Sequence, residues 1–308
     1  MKRHYRKLAV LSKIESTYGQ DASPTGKANA MLMSDVQFTP MQGEEVSRDL
    51  LLPYLGHQGV ELAGVYAKLT GSIEIAGVGT AGKAPAYGPL PRACGLAETL
   101  TADTSAAYAP VSSNFEAATT YFNADGVNHV LLGVRGSFKA DLAPKKIPKF
   151  HFDLMGLYGT VSDTALPTVD QSAFIRPLIV DTANTTVSLH GWSAIAESLE
   201  IDLGNKVEAR FLIGEESMQI TERNAVGTAV VEAQPLSVIN WFDIAEKRTR
   251  GALSVVHGTT AGNIVEFAAK QVEIGRPTQG KTQDILNYSL PLMLCANAGN
   301  DDLTITVR

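Results

Sequence analysis

The sequence predicts a mainly β, antiparallel protein with a couple of helices. Apolar and polar residues alternate with period two in most segments, for example "SLEIDLG" at residues 198–204 and "LTITVR" at residues 303–308. This alternation is typical of strands that bury one face. Helical periodicity is scarce, and 27 glycines and 14 prolines favour many turns. Together these observations favour short strands joined by tight connections.

Helical spacing is confined to two segments. The stronger one covers residues 236–250, which follow Pro235 and precede Gly251, with Lys247, Arg248 and Arg250 in the predicted last turn. Its apolar stripe consists of Val238, Trp241, Phe242 and either Ile244 or Ala245. A shorter helix is predicted over residues 90–98.

The order of the predicted elements repeats along the chain. Each half contains paired strands, a short helix and then a strand pair near its end, and 308 residues suffice for two ordinary domains. We therefore predict an N-terminal arm at residues 1–30, a first β domain at 31–160, a linker and connecting segment at 161–196 and a second β domain at 197–308. Pro167 and Pro177 mark the linker.

The charge distribution argues against a nucleic-acid-binding body. The formal net charge is −6, and residues 14–160 carry 10 basic against 14 acidic side chains. Residues 161–308 carry 11 basic against 18 acidic side chains, so the basic excess lies in the first thirteen residues. An acidic body repels a polyanion, whereas duplex-binding domains present a basic face.

Nothing in the sequence predicts membrane insertion or disulfide bonds. The chain has no run of about eighteen apolar residues, and the apolar run at residues 8–11 is too short for a signal peptide. Cys94 and Cys295 lie about 200 residues apart and show no metal-ligand spacing, which favours reduced thiols.

Motifs for catalysis or metal binding are missing from the sequence. The six histidines are dispersed without zinc-ligand spacing, and no Gly-x-Ser-x-Gly elbow occurs. Ser254 and His257 fall three residues apart, which places them on opposite faces of a strand. We therefore predict no catalytic residue, no metal ligand, no cofactor and no enzymatic activity.

The stretch "GVGTAG" at residues 77–82 matches Gly-x-Gly-x-x-Gly, a pattern that opens many dinucleotide-binding domains. A strand precedes it, but Pro85, Pro89 and Pro91 follow, so no long helix can begin there to present amide groups to a phosphate. The pattern is therefore interpreted as a glycine-rich loop.

Three carboxylates alternate with apolar residues inside predicted strands. Glu200 and Asp202 alternate with Leu199, Ile201 and Leu203, and Glu74 lies between Ile73 and Ile75. Such residues line the polar face of a strand. Two interpretations stay open: ordinary solubilising charge, or a shared negative surface formed when many subunits bring their strands together.

Several segments resemble the major tail tube proteins of long-tailed, siphovirus-like bacteriophages. They are "KIESTYGQDASPT" at residues 13–25, "VSRDL" at residues 46–50, which is expected to form a strand, and the long stretches at residues 130–159 and 257–294. The 130–159 stretch contains a Gly-x-Arg-Gly strand followed by the aromatic strand "FHFDLMG". Together the resemblance covers nearly the whole chain.

The resemblance implies an antiparallel β-sandwich or split-barrel core with a flanking short helix, and the repeated element order suggests two tandem copies. Such subunits form hexameric rings, or trimeric rings when the fold is duplicated, and the rings stack into a tube through which DNA passes without specific binding. The expected lumen residues are Glu74, Glu200 and Asp202. The expected inter-ring loop contains Gly77, Gly79 and Gly82, and would become ordered against the adjacent ring.

The partners implied by the resemblance are the chain itself and the tail terminator, tape measure and baseplate proteins. The protein would then reside in the virion tail after assembly in the host bacterial cytoplasm, and its basic arm would reach an acidic neighbour. Alternative hypotheses are another β-sandwich virion protein, such as a capsid decoration protein or an adhesin, and a dinucleotide-dependent enzyme.

Overall fold

The fold is described by a computed structural model that covers residues 2–308. Strands hold 53% of the residues and helices 5%, and the sheets are antiparallel. The prediction of a mainly β antiparallel fold with short flanking helices is therefore confirmed. The sheets do not close into a barrel.

The first half of the chain contains nine strands and one helix within the described residues. In chain order they are β1 (Leu8–Ile14), β2 (Ala30–Met31), β3 (Ser34–Ser47), β4 (Val60–Glu74), α1 (Pro89–Ala93), β5 (Leu96–Thr101), β6 (Ser105–Pro110), β7 (Ala118–Ala124), β8 (Val127–Leu142) and β9 (Lys149–Asp163).

The second half contains eleven strands and one helix within the same described part. They are β10 (Thr185–Leu189), β11 (Trp192–Ser193), β12 (Ala196–Asp202), β13 (Asn205–Leu212), β14 (Glu215–Arg223), β15 (Val226–Glu232), α2 (Trp241–Glu246), β16 (Arg250–His257), β17 (Val265–Ile274), β18 (Thr278–Thr282), β19 (Ile285–Cys295) and β20 (Thr304–Val307).

Helix α2 is much shorter than the helix predicted over residues 236–250. The Asn240 side chain accepts a hydrogen bond of 3.1 Å from the Asp243 amide, so the helix begins at Trp241. The preceding residues form a turn closed by a hydrogen bond from the Val238 amide to the Pro235 carbonyl. Gly251 lies in strand β16 and does not end the helix.

Two other predicted boundaries were wrong. Helix α1 ends at Ala93, because Gly95 has a φ of 80° and turns the chain into β5, whereas the sequence predicted a helix over residues 90–98. Strand β3 ends at Ser47, and Asp49 has a φ of 41°, so "VSRDL" lies mostly in a loop. The 46–50 segment was predicted as a strand.

The strands of the two halves pair in matching orders. The first set follows β2-β1-β7-β8-β9-β4-β3, and the second follows β11-β10-β16-β17-β19-β15-β12. Strand by strand, the two sets also occur in the same order along the chain. Counted along the chain, one helix separates the fourth strand of each set from the fifth: α1 lies between β4 and β7, and α2 between β15 and β16.

The two sets meet at a short antiparallel pairing, which we call the central joint. Residues 139–142 of β8 pair with residues 199–202 of β12. Elsewhere β18 extends the edge of β19, and β20 connects β17 to the β5–β6 hairpin. Strands β13 and β14 form a separate hairpin. The main sheet therefore runs through both halves of the chain.

One hydrophobic core lies beneath the sheet and also spans both halves. Phe150 of the first half packs against Phe138 at 5.4 Å and against Phe267 of the second half at 5.8 Å between ring centroids. All three side chains are essentially inaccessible to solvent. Packing of this kind stabilises the two halves as one unit.

Two histidines with limited access to solvent lie at the ends of strands, His257 buried and His190 half-buried. His257 is 2% exposed and its Nδ1 lies 2.8 Å from the Thr185 hydroxyl, while Ser254 is half-buried on another part of β16. His190 lies between β10 and β11, with its Nε2 2.9 Å from the Val272 carbonyl oxygen. Burial lowers the pKa of both imidazoles below the ordinary 6.5.

These lowered histidine pKa values predict that acid destabilises the fold. Because both imidazoles bind a proton more tightly in the unfolded chain, their contribution to the free energy of unfolding is full above about pH 6.5 and decreases as the pH falls below it. Asp35, Asp170 and Asp301, whose pKa values are lowered by hydrogen bonds, contribute only below about 3.8.

Urea titrations at several pH values between about 7 and 5 measure the slope of the free energy of unfolding against pH. His257→Gln should flatten it, whereas His57→Gln, in an exposed loop, should leave it unchanged. An equal slope in wild type and His257→Gln would contradict the assignment.

Candidate functional site

The three candidate lumen carboxylates lie on one sheet face, where Glu200 is exposed and Glu74 and Asp202 are half-buried. Glu74 of β4 pairs with Lys149 of β9, which pairs with Asp141 of β8, which in turn pairs with Glu200 of β12 across the central joint. Asp202 lies in the adjacent cross-strand row. Tertiary pairing therefore brings together residues that are about 130 positions apart in sequence.

The opposite side of these strands faces the core. Ala140, Leu142, Leu199 and Ile201 are all buried, and they alternate with the polar residues of the exposed face. The predicted period-two pattern is thus confirmed at the joint, because cross-strand partners share a face. We call the exposed side, formed by strands β4, β9, β8 and β12, the polar face.

Lys139 links the two carboxylates of β12. Its Nζ lies 3.3 Å from Glu200 Oε1 and 3.1 Å from Asp202 Oδ2. Hydrogen bonding to Asp202, together with the negative charge of both carboxylates, raises the pKa of Lys139. The side chains of Lys139 and Glu200 are about half exposed, so solvent weakens the interaction. The two acids therefore share one positive charge.

The polar face carries charges of both signs. Lys68 lies 2.8 Å from Asp153, and Lys149 lies 3.2 Å from Asp35 of the adjoining strand β3. On β4, β9, β8 and β12 the polar face carries more carboxylates than ammonium groups. The carboxylates are Glu74, Asp141, Asp153, Glu200 and Asp202, and the ammonium groups are Lys68, Lys139 and Lys149. The face is thus modestly negative, and its lysines are held by carboxylates.

The glycine-rich loop is held inside the subunit. The Gly77 amide donates to Asn263 Oδ1 at 2.9 Å, and the Val78 and Gly79 amides donate to the Gly262 carbonyl oxygen at 2.9 and 3.0 Å. A Cβ at Gly77 would collide with the Gly262 carbonyl oxygen, and one at Gly82 would collide with the Asp103 amide. Gly79 is exposed, Gly82 is half-buried and Gly77 is buried.

Two hairpins present apolar tips that the sequence analysis missed. The β3–β4 connection exposes Leu50, Leu51, Leu52, Tyr54 and Leu55, with Leu51 and Leu55 fully exposed. The β13–β14 tip exposes Leu212 and Ile213. Contiguous exposed apolar residues are typical of interaction surfaces, so both tips are candidate contact sites. The run "LLLPYL" at residues 50–55 could have indicated the first of these surfaces from sequence, because it is apolar without the alternation of a strand.

Arg135 of β8 anchors the β13–β14 hairpin to the first half. Its Nη1 donates to the Met218 carbonyl at 2.8 Å and to Gln219 Oε1 at 3.0 Å, and its Nη2 donates to the Phe115 carbonyl at 2.8 Å. The guanidinium stacks over the Tyr18 ring, 4.8 Å from the centroid. Arg135 is 7% exposed, and burial lowers its pKa.

Glu15 and Tyr18 extend the contacts around Arg135. The Glu15 carboxylate accepts hydrogen bonds of 2.8 Å from the Gly133 amide and 2.7 Å from the Gly19 amide. The Tyr18 hydroxyl accepts one of 2.6 Å from the Met218 amide, and burial raises its pKa. Gly133 has a φ of 57°, and a Cβ there would lie 2.6 Å from the Tyr18 ring.

The "KIESTYG" and Gly-x-Arg-Gly segments thus have a structural role that sequence reasoning missed. Glu15, Tyr18, Gly133 and Arg135 lie in these two segments and meet in one buried polar network. The one feature of the sequence that indicated this role is a charged residue, Arg135, within the apolar run "VLLGVRG". Its partners, from a hairpin about 80 residues away, could be found only in three dimensions.

Neither a metal centre nor a membrane-spanning helix is found in residues 2–308. No three His, Cys, Asp or Glu side chains cluster there as a metal site requires. No helix in this part of the chain has the length and hydrophobicity to cross a bilayer.

Comparison with known protein families identifies the family of this chain. A family model described as "Phage tail tube protein" matches residues 6–307, which is nearly the whole chain. The chain belongs to this phage tail tube protein family. Membership supports a structural role in the virion tail, with self-assembly and contacts to other tail components, and it favours a non-enzymatic protein. No curated protein matches the chain.

The Arg135 network predicts a stability change in this tail tube protein. Arg135→Met removes the donors that satisfy buried carbonyl groups at Phe115 and Met218, so the free energy of unfolding should fall by about 3 kcal/mol. Arg210→Met, on exposed β13, is the matched control and should change it by less than about 0.5 kcal/mol. Thermal and urea denaturation measure both, and equal effects would contradict the role of Arg135.

Proposed function

We propose that this chain forms the tail tube by assembling three copies into a ring and stacking the rings around a channel that conducts DNA into the host. The observation that carries the proposal is the repeated strand order, with β12, the edge of the second set, paired to the end of β8 that extends beyond β7. A chain with two such sets supplies two of the six positions in a pseudo-hexameric ring.

The free edges of the sheet support ring closure. Strand β3 at one end pairs with β4, and β18 near the other end pairs with β19, while no other strand of residues 2–308 pairs with either. Unpaired edges invite pairing with another chain. Pairing β3 of one copy with β18 of the next would continue the sheet around the ring and leave neither of these two edges exposed.

The repeated order also supports two tandem copies of one fold. The copies we propose begin at β1 and at β10, so β1 and β2 belong to the first copy, and β10 and β11 to the second. This places parts of the proposed arm (residues 1–30) and connecting segment (161–196) within the copies. The proposed domain bodies at 31–160 and 197–308 otherwise follow the same division.

The polar face is our candidate for the lumen lining, with Glu74, Glu200 and Asp202 among its acids. A modest negative surplus repels phosphate. Lys68, Lys139 and Lys149 each lie within 3.3 Å of a carboxylate oxygen, so they are not free to hold the DNA backbone. DNA would slide along such a surface without specific binding.

Contacts between stacked rings are assigned to loops. The exposed part of the Gly77–Gly82 loop, at Gly79, is one candidate. The apolar tips at Leu51 and Leu55 and at Ile213 are further candidates, because their exposure leaves apolar area for burial on assembly. Tail terminator, tape measure and baseplate proteins are the other proposed partners, with assembly in the host bacterial cytoplasm.

Electron microscopy of the purified chain tests the ring. Three copies of this size around a channel should give rings or tubes about 100 Å wide, since a chain of this length has a radius of gyration of about 20 Å. Particles that stay monomeric at high concentration would contradict the proposal. A monomer that binds capsids or glycans would instead favour the decoration or adhesin alternative.

Charge reversal tests the lumen. Glu200→Lys with Asp202→Lys surrounds Lys139 with positive charge, which should attract phosphate and slow genome ejection by at least several-fold while rings still form. Glu208→Lys with Glu222→Lys, two exposed acids beside Lys206 and away from the tip of the β13–β14 hairpin, is the matched control with the same change in net charge. Ejection kinetics from assembled particles give the rate, and identical rates for both double variants would place Glu200 and Asp202 outside the lumen.

A further inference from the structure

A groove accompanies the central joint. It has a volume of about 420 Å³ and lies between the β8–β9 turn and the beginning of the second strand set. Leu142, Pro144 and Lys145 of the turn form one wall, and residues around Val180, Val187 and Leu199 form the other. The groove therefore lies beside the paired edges of β8 and β12.

The segment that precedes β10 holds this turn in place. The Lys145 amide donates to the Val180 carbonyl at 2.9 Å, and the Val180 amide donates to the Lys146 carbonyl at 2.9 Å. Val180 is 6% exposed and belongs to the hydrophobic core. The central joint thus has two parts: a strand pairing and a docked turn.

The first strand set has a corresponding groove without a docked turn. It measures about 610 Å³ and is lined by the segment before β1, by β1, by β2 and by β3, including Tyr5, Val10, Met31 and Val36. The second groove is lined by the segment before β10, by β10 and by β12. Strands β1 and β3 of the first groove thus correspond to β10 and β12 of the second. Val169 and Gln171, from the segment after β9, also line the first groove, but within residues 2–308 no turn between strands enters it.

The β18–β19 turn is the counterpart of the β8–β9 turn. Each turn leads into the last strand of its set, β9 or β19, and β18 continues the line of β17 along β19. Every residue of β18 is exposed. The Asp284 side chain is 87% exposed, Ile285 is 53% exposed and Leu286 is 40% exposed. An isolated subunit therefore has one groove without a turn and one turn without a groove.

We infer that the β18–β19 turn of one copy docks in the groove of residues 5–37 of a second copy, while β18 pairs antiparallel with β3. The inference rests on the proposed ring and names the surfaces that join its subunits. Strand β18 takes the place of residues 139–142, and β3 takes the place of β12. The joint between copies thus repeats the joint within the chain.

Charge complementarity favours a second copy as the occupant. The segment beside the empty groove carries Lys2, Arg3, Arg6 and Lys7, all exposed. The turn that would enter carries Asp284 at its tip, where its carboxylate pairs with Lys281 of β18 at 2.6 Å and is still 87% exposed to a basic partner. At the central joint the signs are reversed, because the docked turn carries Lys145 and Lys146 and the segment beside it carries Asp181. Opposite charges on the two surfaces favour encounter and fix register.

Engineered disulfides test the contact in the full-length chain. On a Cys295→Ser background, which leaves the buried Cys94 in place, Gln37→Cys is combined with Lys281→Cys or with Thr282→Cys. All three positions are exposed in the subunit, so the fold should tolerate them. Oxidation of assembled protein should yield covalent dimers and trimers that reduction reverses. Gln37→Cys with Thr160→Cys, exposed on β9, is the matched control and should yield none.

A second variant tests the docked turn without cysteine chemistry. Ile285→Asp places a charge on an exposed residue that would enter the groove, and it should reduce ring formation at least tenfold at equal concentration. Leu100→Asp, similarly exposed on β5, should leave ring formation unchanged.

The outcomes separate this inference from the proposed function. Rings that form without a crosslink at either cysteine pair, and despite Ile285→Asp, would overturn the docking and leave the tube role intact. A crosslink by the control pair equal to that of the test pairs would also overturn it. Wild-type protein that forms neither rings nor crosslinks would overturn both.

Discussion

The arrangement of this subunit depends on the antiparallel backbone pairing between residues 139–142 of β8 and residues 199–202 of β12. The pairing joins two seven-strand sets into one sheet and gives both a common exposed face and a common core. It also brings Asp141 beside Glu200 and Lys139 beside Asp202. Backbone hydrogen bonds must be satisfied wherever strands are half-buried, so an edge at this point needs a partner. In the proposed ring, the same requirement acts on the edges of β3 and β18.

The buried polar network around Arg135 gives the hairpin β13–β14 a defined position on the first half. Burying a guanidinium is costly unless its donors are satisfied, and here carbonyl groups of Phe115 and Met218, the Gln219 amide and the Tyr18 ring surround it. Because the donors are directional, they specify an orientation that apolar packing alone would leave adjustable. One exposed apolar tip of the subunit is therefore presented by a rigidly anchored hairpin.

The sequence predicted the polar faces of strands well, because alternation depends only on the local geometry of a strand. Glu74, Glu200 and Asp202 lie on the solvent side, as expected from their apolar neighbours. Helix ends were predicted poorly. The Asn240 cap and the left-handed Gly95 override the periodic stripe that favoured longer helices. The glycine-rich stretch was predicted as a loop, but its contacts with Gly262 and Asn263 involve residues about 185 positions away, which no local pattern reveals.

By itself, the sequence determined the β class, the absence of catalytic motifs and the motif segments that the family match supports, since these depend on composition, local period and short-range identity. Tertiary structure decided which strands became neighbours, and so which charges face one another on the polar face. It also decided that Arg135 is a buried anchor and that a groove beside β1 lacks the turn that its counterpart holds. Register between distant strands is set by long-range backbone pairing and core packing, which no local pattern encodes.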